Sequence, residues 1–410
     1  LQGRVSVSGS KNAFLPIMAA TLLADSACVL HNVPALEDIK TMVEMLRALN
    51  ARVEVRGKNL VIDASGELGV EAPYDIVRKM RASYYVLGPL LGRLKKAKVA
   101  LPGGCAIGPR PIDLHLKGMR KLGAKVRVEH GYVRSEAKAL IGNEMVLEGV
   151  KGASVGATCN VMMAAVLASG RTVIKGAACE PEVVDLASFL LKMGAEIKGA
   201  GTPTITIEGV NRLSGADWTP IPDRIETGTF AVASVITRGD VEITNCIPDH
   251  IFAVLEILKE VGAEVATGSN YIRVRAAGPP KSVSITTAPY PGFPTDMQAQ
   301  FMALLSLAPG TSTITETIFE ARFLHALELA RLGADITLDG STAIIRGVEK
   351  LTGAQVMASD LRASAALVLA GLAAEGETQI SRIYHLDRGY ESLEQKLSGL
   401  GAEVRREQEQ

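Results

Sequence analysis

The chain runs to 410 residues, 47% of them hydrophobic, enough for a large buried core; single cores seldom grow past roughly 300 residues, so two domains are expected. Lys plus Arg equals Asp plus Glu at 44 each, which removes the global electrostatic case for a nucleic acid or an anionic membrane as partner and makes any basic site local. The longest apolar runs, such as Ala365 to Ala374, fall short of the ~18 to 20 residues a bilayer span needs, and no charged-then-apolar leader opens the chain, so a soluble cytoplasmic protein is expected.

At the amino terminus, Leu1-Gln-Gly-Arg-Val-Ser-Val-Ser-Gly-Ser-Lys11 matches Leu351-Thr-Gly-Ala-Gln-Val-Met-Ala-Ser-Asp360. This match predicts that the opening strand completes the last of a series of repeated units. Leu1 in place of an initiator methionine points to residues ahead of it.

The series is carried by one phrase: Leu49-Asn-Ala-Arg-Val53, Leu122-Gly-Ala-Lys-Val126, Met193-Gly-Ala-Glu-Ile197, Val261-Gly-Ala-Glu-Val265, Leu332-Gly-Ala-Asp-Ile336 and Leu400-Gly-Ala-Glu-Val404. The steps are 73, 71, 68, 71 and 68 residues, so one supersecondary unit is used six times. Gly or Asn at the second place suits a helix that ends on a left-handed residue. Upstream lies an amphipathic helix, as in Ile39, Met42, Val43, Leu46 and Leu49, or Tyr390, Leu393, Leu397 and Leu400. Further upstream is a helix apolar on every side, such as Val161 to Gly170 or Ser364 to Gly376, which predicts burial at a domain centre. Downstream, Val53 to Ile62 alternates around a polar turn and reads as a hairpin. The fold class expected is α/β, with three such units in each of two domains. The Pro-containing stretch Trp218-Thr-Pro-Ile-Pro-Asp223 marks a crossing, giving a first domain of 12–219 and a second of 1–11 with 220–410.

Between the first and second phrases lies Leu101-Pro-Gly-Gly-Cys-Ala-Ile-Gly-Pro-Arg-Pro-Ile-Asp-Leu-His115. It sets Cys105 among Gly103, Gly104 and Gly108 and holds Arg110 between Pro109 and Pro111. Glycine allows close backbone approach and proline fixes φ, so a thiol and an arginine on a stiff loop point to chemistry on an anion. The five cysteines are scattered with no C-x-x-C pair, which supports neither a disulfide framework nor a zinc site. Cys28, Cys159, Cys179 and Cys246 read as small buried hydrophobes. His115 and His385 adjoin motif loops without metal-ligand spacing and read as structural or as supports behind the site. No Walker or dinucleotide pattern is present, so no metal and no cofactor is expected.

Five motifs then fall in order: Gly9-Ser-Lys-Asn-Ala13 with Leu15-Pro16, the Gly103 to Gly108 loop with Arg110-Pro-Ile-Asp113, Pro222-Asp-Arg-Ile-Glu-Thr-Gly228, Phe293-Pro-Thr-Asp-Met-Gln-Ala-Gln300, and Asp387-Arg-Gly-Tyr390. In these the chain resembles, over nearly its whole length, the UDP-N-acetylglucosamine 1-carboxyvinyltransferase branch of the enolpyruvyl transferase family. The resemblance implies two inside-out α/β barrel domains. It also implies a reaction: enolpyruvate moves from phosphoenolpyruvate to the sugar 3'-hydroxyl with release of phosphate, the first committed step of peptidoglycan synthesis. Its partners would be those two small molecules.

That reaction needs an acid for the methylene carbon and a base for the hydroxyl. The resemblance makes Cys105 the acid, with covalent attack on the activated carbon as a further possibility. It makes Asp296 the base, although an aspartate before an apolar helix is ordinarily a cap. Lys11 beside Asn12, Arg110, Arg362 and Arg388 would clamp the phosphate and carboxylate, with Lys11 and Arg388 also counted as catalytic. By default an arginine is a solvated surface residue, but Lys11 and Arg362 start equivalent buried helices, whose amino termini favour anions. For the nucleotide sugar the resemblance gives Arg81, Arg110, Pro111, Ile112, Asp113, Leu114, Ser154, Val155, Gly156, Asp296 and Ile318. Read alone, Ser154 is an N-cap and Ile318 core. Asp223, Arg224 and Glu226 read as a charged cluster at the crossing, either solvated or structural. Two positions depart from the family pattern: Lys151 lies one place early in its turn, and Ala321 stands where asparagine is usual. The nearest rival is the sister transferase acting on shikimate 3-phosphate; a binding-only relative of the same fold is the alternative from another class.

Overall fold

The computed structural model describes residues 1–101, 112–319 and 322–407. It is an α/β chain that divides into two compact units. One holds the described residues between Gly9 and Ile221; the other takes Leu1–Ser8 and the chain from Pro222 onward.

In the first unit the helices are α1 (Lys11–Ala20), α2 (Glu37–Ala48), α3 (Tyr74–Val77), α4 (Leu87–Leu94), α5 (Asp113–Lys121), α6 (Val155–Ala165) and α7 (Pro181–Lys192). In the second they are α8 (Arg224–Ile236), α9 (Phe252–Glu260), α10 (Gln298–Leu305), α11 (Leu324–Arg331), α12 (Leu361–Ala373) and α13 (Leu393–Gly399). The repeated phrase ends six of them in one geometry. Asn50, Gly123, Gly194, Gly262, Gly333 and Gly401 take positive φ between 66° and 104°. The alanine that follows sends its N–H back to the helix, as in Ala51 to Leu46 O at 3.0 Å, Ala195 to Leu190 O at 2.9 Å and Ala402 to Leu397 O at 3.0 Å. This is the six-to-one closure that satisfies orphan carbonyls and needs a residue tolerant of left-handed backbone.

Among the described residues, five four-stranded sheets share one order: a parallel edge strand, a second strand, then an antiparallel hairpin. In the first, Asp217–Trp218 runs parallel to Cys28–Leu30, which is antiparallel to Asn59–Asp63, itself paired with Arg52–Arg56. Val53 faces Ile62 in that hairpin. Leu60 and Ile62 turn inward while their neighbours stay half-exposed, the period of two that fixes which face meets the core. The opening strand Gln2–Ser6 is the parallel edge of Asp240–Thr244, so it completes the fourth unit and not the last. The last phrase is served by two short parallel pairs, Leu351–Thr352 with Ala374–Glu375 and Gln355–Met357 with Gln379–Ser381. The amino terminus therefore does for the fourth unit what its look-alike at 351–357 does for the sixth.

Each unit has its own hydrophobic core. The helices apolar on all sides run through it: every residue of α10 is buried, as are Ala157 to Ala165 of α6 and Ile225 to Ile236 of α8. Burial of each Leu, Ile or Phe there contributes about 1.5 to 3 kcal/mol against exposure. In the first unit α4 and α6 approach at Gly88, where an added Cβ would lie 2.2 Å from the Asn160 carbonyl oxygen; only glycine allows that distance. Among the described residues no helix is long and apolar enough to cross a membrane.

Candidate active site

In the first unit, Lys11 is the first residue of α1, after Ser10 in extended backbone with no side-chain cap. Its ammonium lies 3.3 Å from Asp38 in the first turn of α2, and both side chains are nearly buried, at 12% and 4% exposure. Asn12 shares that first turn and is half-buried. The start of α6 is capped as its sequence predicts: Ser154 Oγ accepts the Ala157 N–H at 3.2 Å. Val155 and Gly156 follow, half-buried, at the helix opening.

The hub of this group is His115 on α5. Its Cε1 and Nε2 would lie 3.0 Å from a Cβ on Gly156, so the imidazole packs directly on the backbone at the opening of α6. Its Nδ1 is 3.0 Å from Asn160 Nδ2, whose carbonyl accepts the Gly88 N–H at 2.8 Å and whose amide also donates to Tyr84 O at 3.1 Å. The Tyr84 ring meets His115 edge-on, with centroids 5.3 Å apart. Burial, with a smaller push from Arg81, drives the His115 imidazole down to about 3, so it is neutral in the folded protein. The structural reading of His115 thus holds, and it ties Arg81, at the head of the 3-10 turn Arg81–Val86, to the openings of α5 and α6. Ile112, Asp113 and Leu114 form that α5 opening; Asp113 is exposed in the first turn, where the helix dipole favours an anion. Cys105, Arg110 and Pro111 lie outside the described residues, as does Ala321.

In the second unit Asp296 sits in the 3-10 turn Thr295–Met297 ahead of α10. Capping was its ordinary reading, yet α10 has no side-chain cap at its start. The carboxylate turns instead to two arginines. Arg322 Nη1 donates to Oδ1 at 2.9 Å, and Arg362 donates to Oδ2 from Nη2 at 3.0 Å and Nε at 3.2 Å. Exposure is 28% for Asp296 against 6% and 3% for Arg322 and Arg362, so the carboxylate is the reachable member of the triad.

Arg362 is therefore no solvated arginine. Burial alone would lower its guanidinium, but Asp296, Tyr390 and Asp223 together hold it above the ordinary range. It lies over the Tyr390 ring, 5.4 Å from the centroid. Asp360 caps the same helix, accepting the Arg362 and Ala363 N–H groups at 2.9 and 3.1 Å. Arg388 closes the 3-10 turn Ile383–Arg388, and a Cβ on the next residue, Gly389, would be 2.6 Å from Leu361; the turn thus abuts the start of α12. Ile318 lies just beyond the strand Thr311–Thr315, half-buried, not in the core.

The cluster at the crossing is structural. Asp223 caps α8 through the Ile225 and Glu226 N–H groups at 2.8 and 3.0 Å. Glu226 is 2% exposed and paired with Lys396, which also donates to Ser8 Oγ at 2.7 Å. Arg224 lies over the Tyr290 ring. Of the other cysteines, Cys28, Cys159 and Cys246 are buried and Cys179 half-buried, and burial raises all four thiols.

Sequence reasoning missed Arg322, Glu316 and Asp38. The first two follow motif positions, one beside the Ala321 departure and one at the end of an alternating Thr-rich strand. Neither type nor spacing told them from surface charges.

A family model described as EPSP synthase (3-phosphoshikimate 1-carboxyvinyltransferase) matches residues 1–397. UDP-N-acetylglucosamine 1-carboxyvinyltransferase of Desulfosudis oleivorans is 56% identical over 406 residues, covering 99% of this chain and 97% of its own. The protein of that name, numbered 1, from Caldanaerobacter subterraneus is 54% identical with the same coverage. Among solved structures, the enolpyruvyl transferase NikO from Streptomyces tendae superposes with a TM-score of 0.88 at 27% identity, over 98% of this chain and 95% of its own. An EPSP synthase from Acinetobacter baumannii, at 19% identity and a TM-score of 0.74 over 99% and 97%, shares the fold. The chain belongs to the enolpyruvyl transferase family, and within it to the group named UDP-N-acetylglucosamine 1-carboxyvinyltransferase.

Proposed function

We propose that the protein transfers the enolpyruvyl group of phosphoenolpyruvate to the 3'-hydroxyl of UDP-N-acetylglucosamine by addition and elimination, in the cytoplasm, as a step of peptidoglycan synthesis. In the addition, the methylene carbon gains a proton from Cys105 and the sugar oxygen bonds to the middle carbon as Asp296 takes the hydroxyl proton. In the elimination, the methyl carbon returns a proton to the Cys105 thiolate as phosphate departs with its C–O electron pair. A thiol near its ordinary ~8.5 is mostly protonated at neutral pH yet acidic enough to donate.

The observation that carries this reading is agreement over 99% of the chain with relatives of that name. Geometry supports Asp296: its carboxylate is held by Arg322 and Arg362 yet is 28% exposed, so a substrate hydroxyl can approach it. Lys11, Arg110, Arg362 and Arg388 are proposed to hold the phosphate and carboxylate. Asn12, Arg81, Pro111, Ile112, Asp113, Leu114, Ser154, Val155, Gly156 and Ile318 are proposed to hold the nucleotide sugar. The finer architecture proposed is three repeats per domain around central helices, an inside-out α/β barrel, with domains 12–219 and 1–11 plus 220–410. Phosphate release with phosphoenolpyruvate tests the acceptor: release with UDP-N-acetylglucosamine and none with shikimate 3-phosphate is expected, and the reverse overturns the reading. In the same assay Cys105→Ala should lose turnover while still binding the nucleotide sugar.

A further inference from the structure

Glu316 follows the strand Thr311–Thr315 and is 1% exposed. A carboxylate taken so far from water must be repaid by hydrogen bonds, and it accepts four. Oε1 receives Thr287 Oγ1 at 2.8 Å and the N–H groups of Ile318 and Phe319 at 2.8 and 3.0 Å. Oε2 receives Thr295 Oγ1 at 2.9 Å.

The direction of the last bond matters. A hydroxyl has one proton; Thr295 spends it on Glu316, so its lone pairs face Arg322 Nη1, which donates to it at 2.9 Å. The same Nη1 donates to Asp296 Oδ1 at 2.9 Å. One line of bonds therefore runs from Glu316 through Thr295 and Arg322 to Asp296, and a second runs from Glu316 to the backbone of Ile318. Thr287 braces the junction from the other side: it accepts the Thr317 N–H at 2.9 Å, and its carbonyl accepts Thr317 Oγ1 at 2.6 Å.

We propose that Glu316 is a positioning residue that sets, from one buried carboxylate, both the guanidinium partner of the base Asp296 and the Ile318 backbone that faces the acceptor sugar. It rests on the reading above that Asp296 takes the hydroxyl proton and that Ile318 contacts the nucleotide sugar. Glu316 touches no reacting atom; it acts through Thr295 and Arg322 and through two peptide N–H groups. Gln in its place keeps the shape but presents an NH2 where a donor already points, so one of the four bonds must break.

The test is steady-state kinetics of the whole enzyme with both substrates, for Glu316→Gln, Thr295→Val and Thr295→Ser, with melting temperatures beside them. Glu316→Gln should lower kcat and raise KM for UDP-N-acetylglucosamine, a combined loss of about 10- to 100-fold, as for a reacting group displaced by a fraction of an ångström. KM for phosphoenolpyruvate should stay within about twofold. Thr295→Val should lower kcat, and Thr295→Ser should recover most of it. A purely structural role would lower the melting temperature and leave kcat and both KM values of the folded fraction unchanged; that result overturns the proposal. Should Glu316→Gln fail to fold, the Thr295 pair decides, and equal impairment by Val and Ser overturns it. A wild-type enzyme inactive with UDP-N-acetylglucosamine overturns the underlying reading and this inference with it, whereas an active wild type with unaffected variants overturns the inference alone.

Discussion

Asp296 bridges two guanidiniums. Arg322 and Arg362 are both almost fully buried, and each spends donors on it. Asp296→Asn keeps the shape and removes the charge, so two buried cations lose their common counter-ion. Removing one partner of a fully buried pair costs about 3 to 5 kcal/mol; the partial exposure of Asp296 brings the expected loss to about 1 to 3 kcal/mol, read as a lower urea midpoint. Turnover should fall about 100- to 10,000-fold, the range for losing a general base. A variant as active as wild type would remove Asp296 from the chemistry. Much of the residue scale was legible beforehand: Ser154 caps where its type and place predict, and Asp296 was singled out from its motif. Its partners were not, because Arg322 and Glu316 owe their burial to segments about 20 to 30 residues distant, and no local pattern encodes which hydroxyls converge there.

At the element scale, the Gly-Ala phrase was fully readable, since a left-handed residue followed by a returning N–H has a local sequence signature. Strand partnership was not local. The opening strand resembles residues 351–360 yet pairs with Asp240–Thr244, because similar strands compete for similar edges and chain connectivity decides. Near that strand, Ser8, α8 and α13 meet at the buried Glu226. Burial lifts its carboxyl from 4.5 to about 7, against the pull of Lys396. Its folded value is raised, so the stability contributed by the bound proton is complete below pH 4.5 and is lost as pH rises through about 7. Denaturation curves between about pH 5 and pH 8 should therefore show wild type losing more stability than Glu226→Gln. Parallel pH profiles would show that Glu226 is not protonated in that window.

For the whole molecule, the chain that leaves Ser8 and returns at Pro222 divides into two units of one plan. In the proposed reading, a chain with equal numbers of acids and bases binds its anionic substrates through cations set singly at helix openings, as at Lys11 and Arg362, and not through a basic face. The period of about 70 residues points to a repeated unit, and composition points to two domains. Composition carried no information on which acceptor is used; in the proposed reading that choice falls to a few side chains such as Arg81 and Ile318. The central claim is addition followed by elimination, in which the vinyl carbon becomes a methyl group and then loses a hydrogen. Its most direct test is the mass spectrum of the nucleotide product formed from phosphoenolpyruvate and UDP-N-acetylglucosamine in deuterium oxide. The account predicts an enolpyruvyl ether whose vinyl hydrogens are partly deuterium, and recovery of unchanged nucleotide sugar, or of an ether without deuterium, would contradict it.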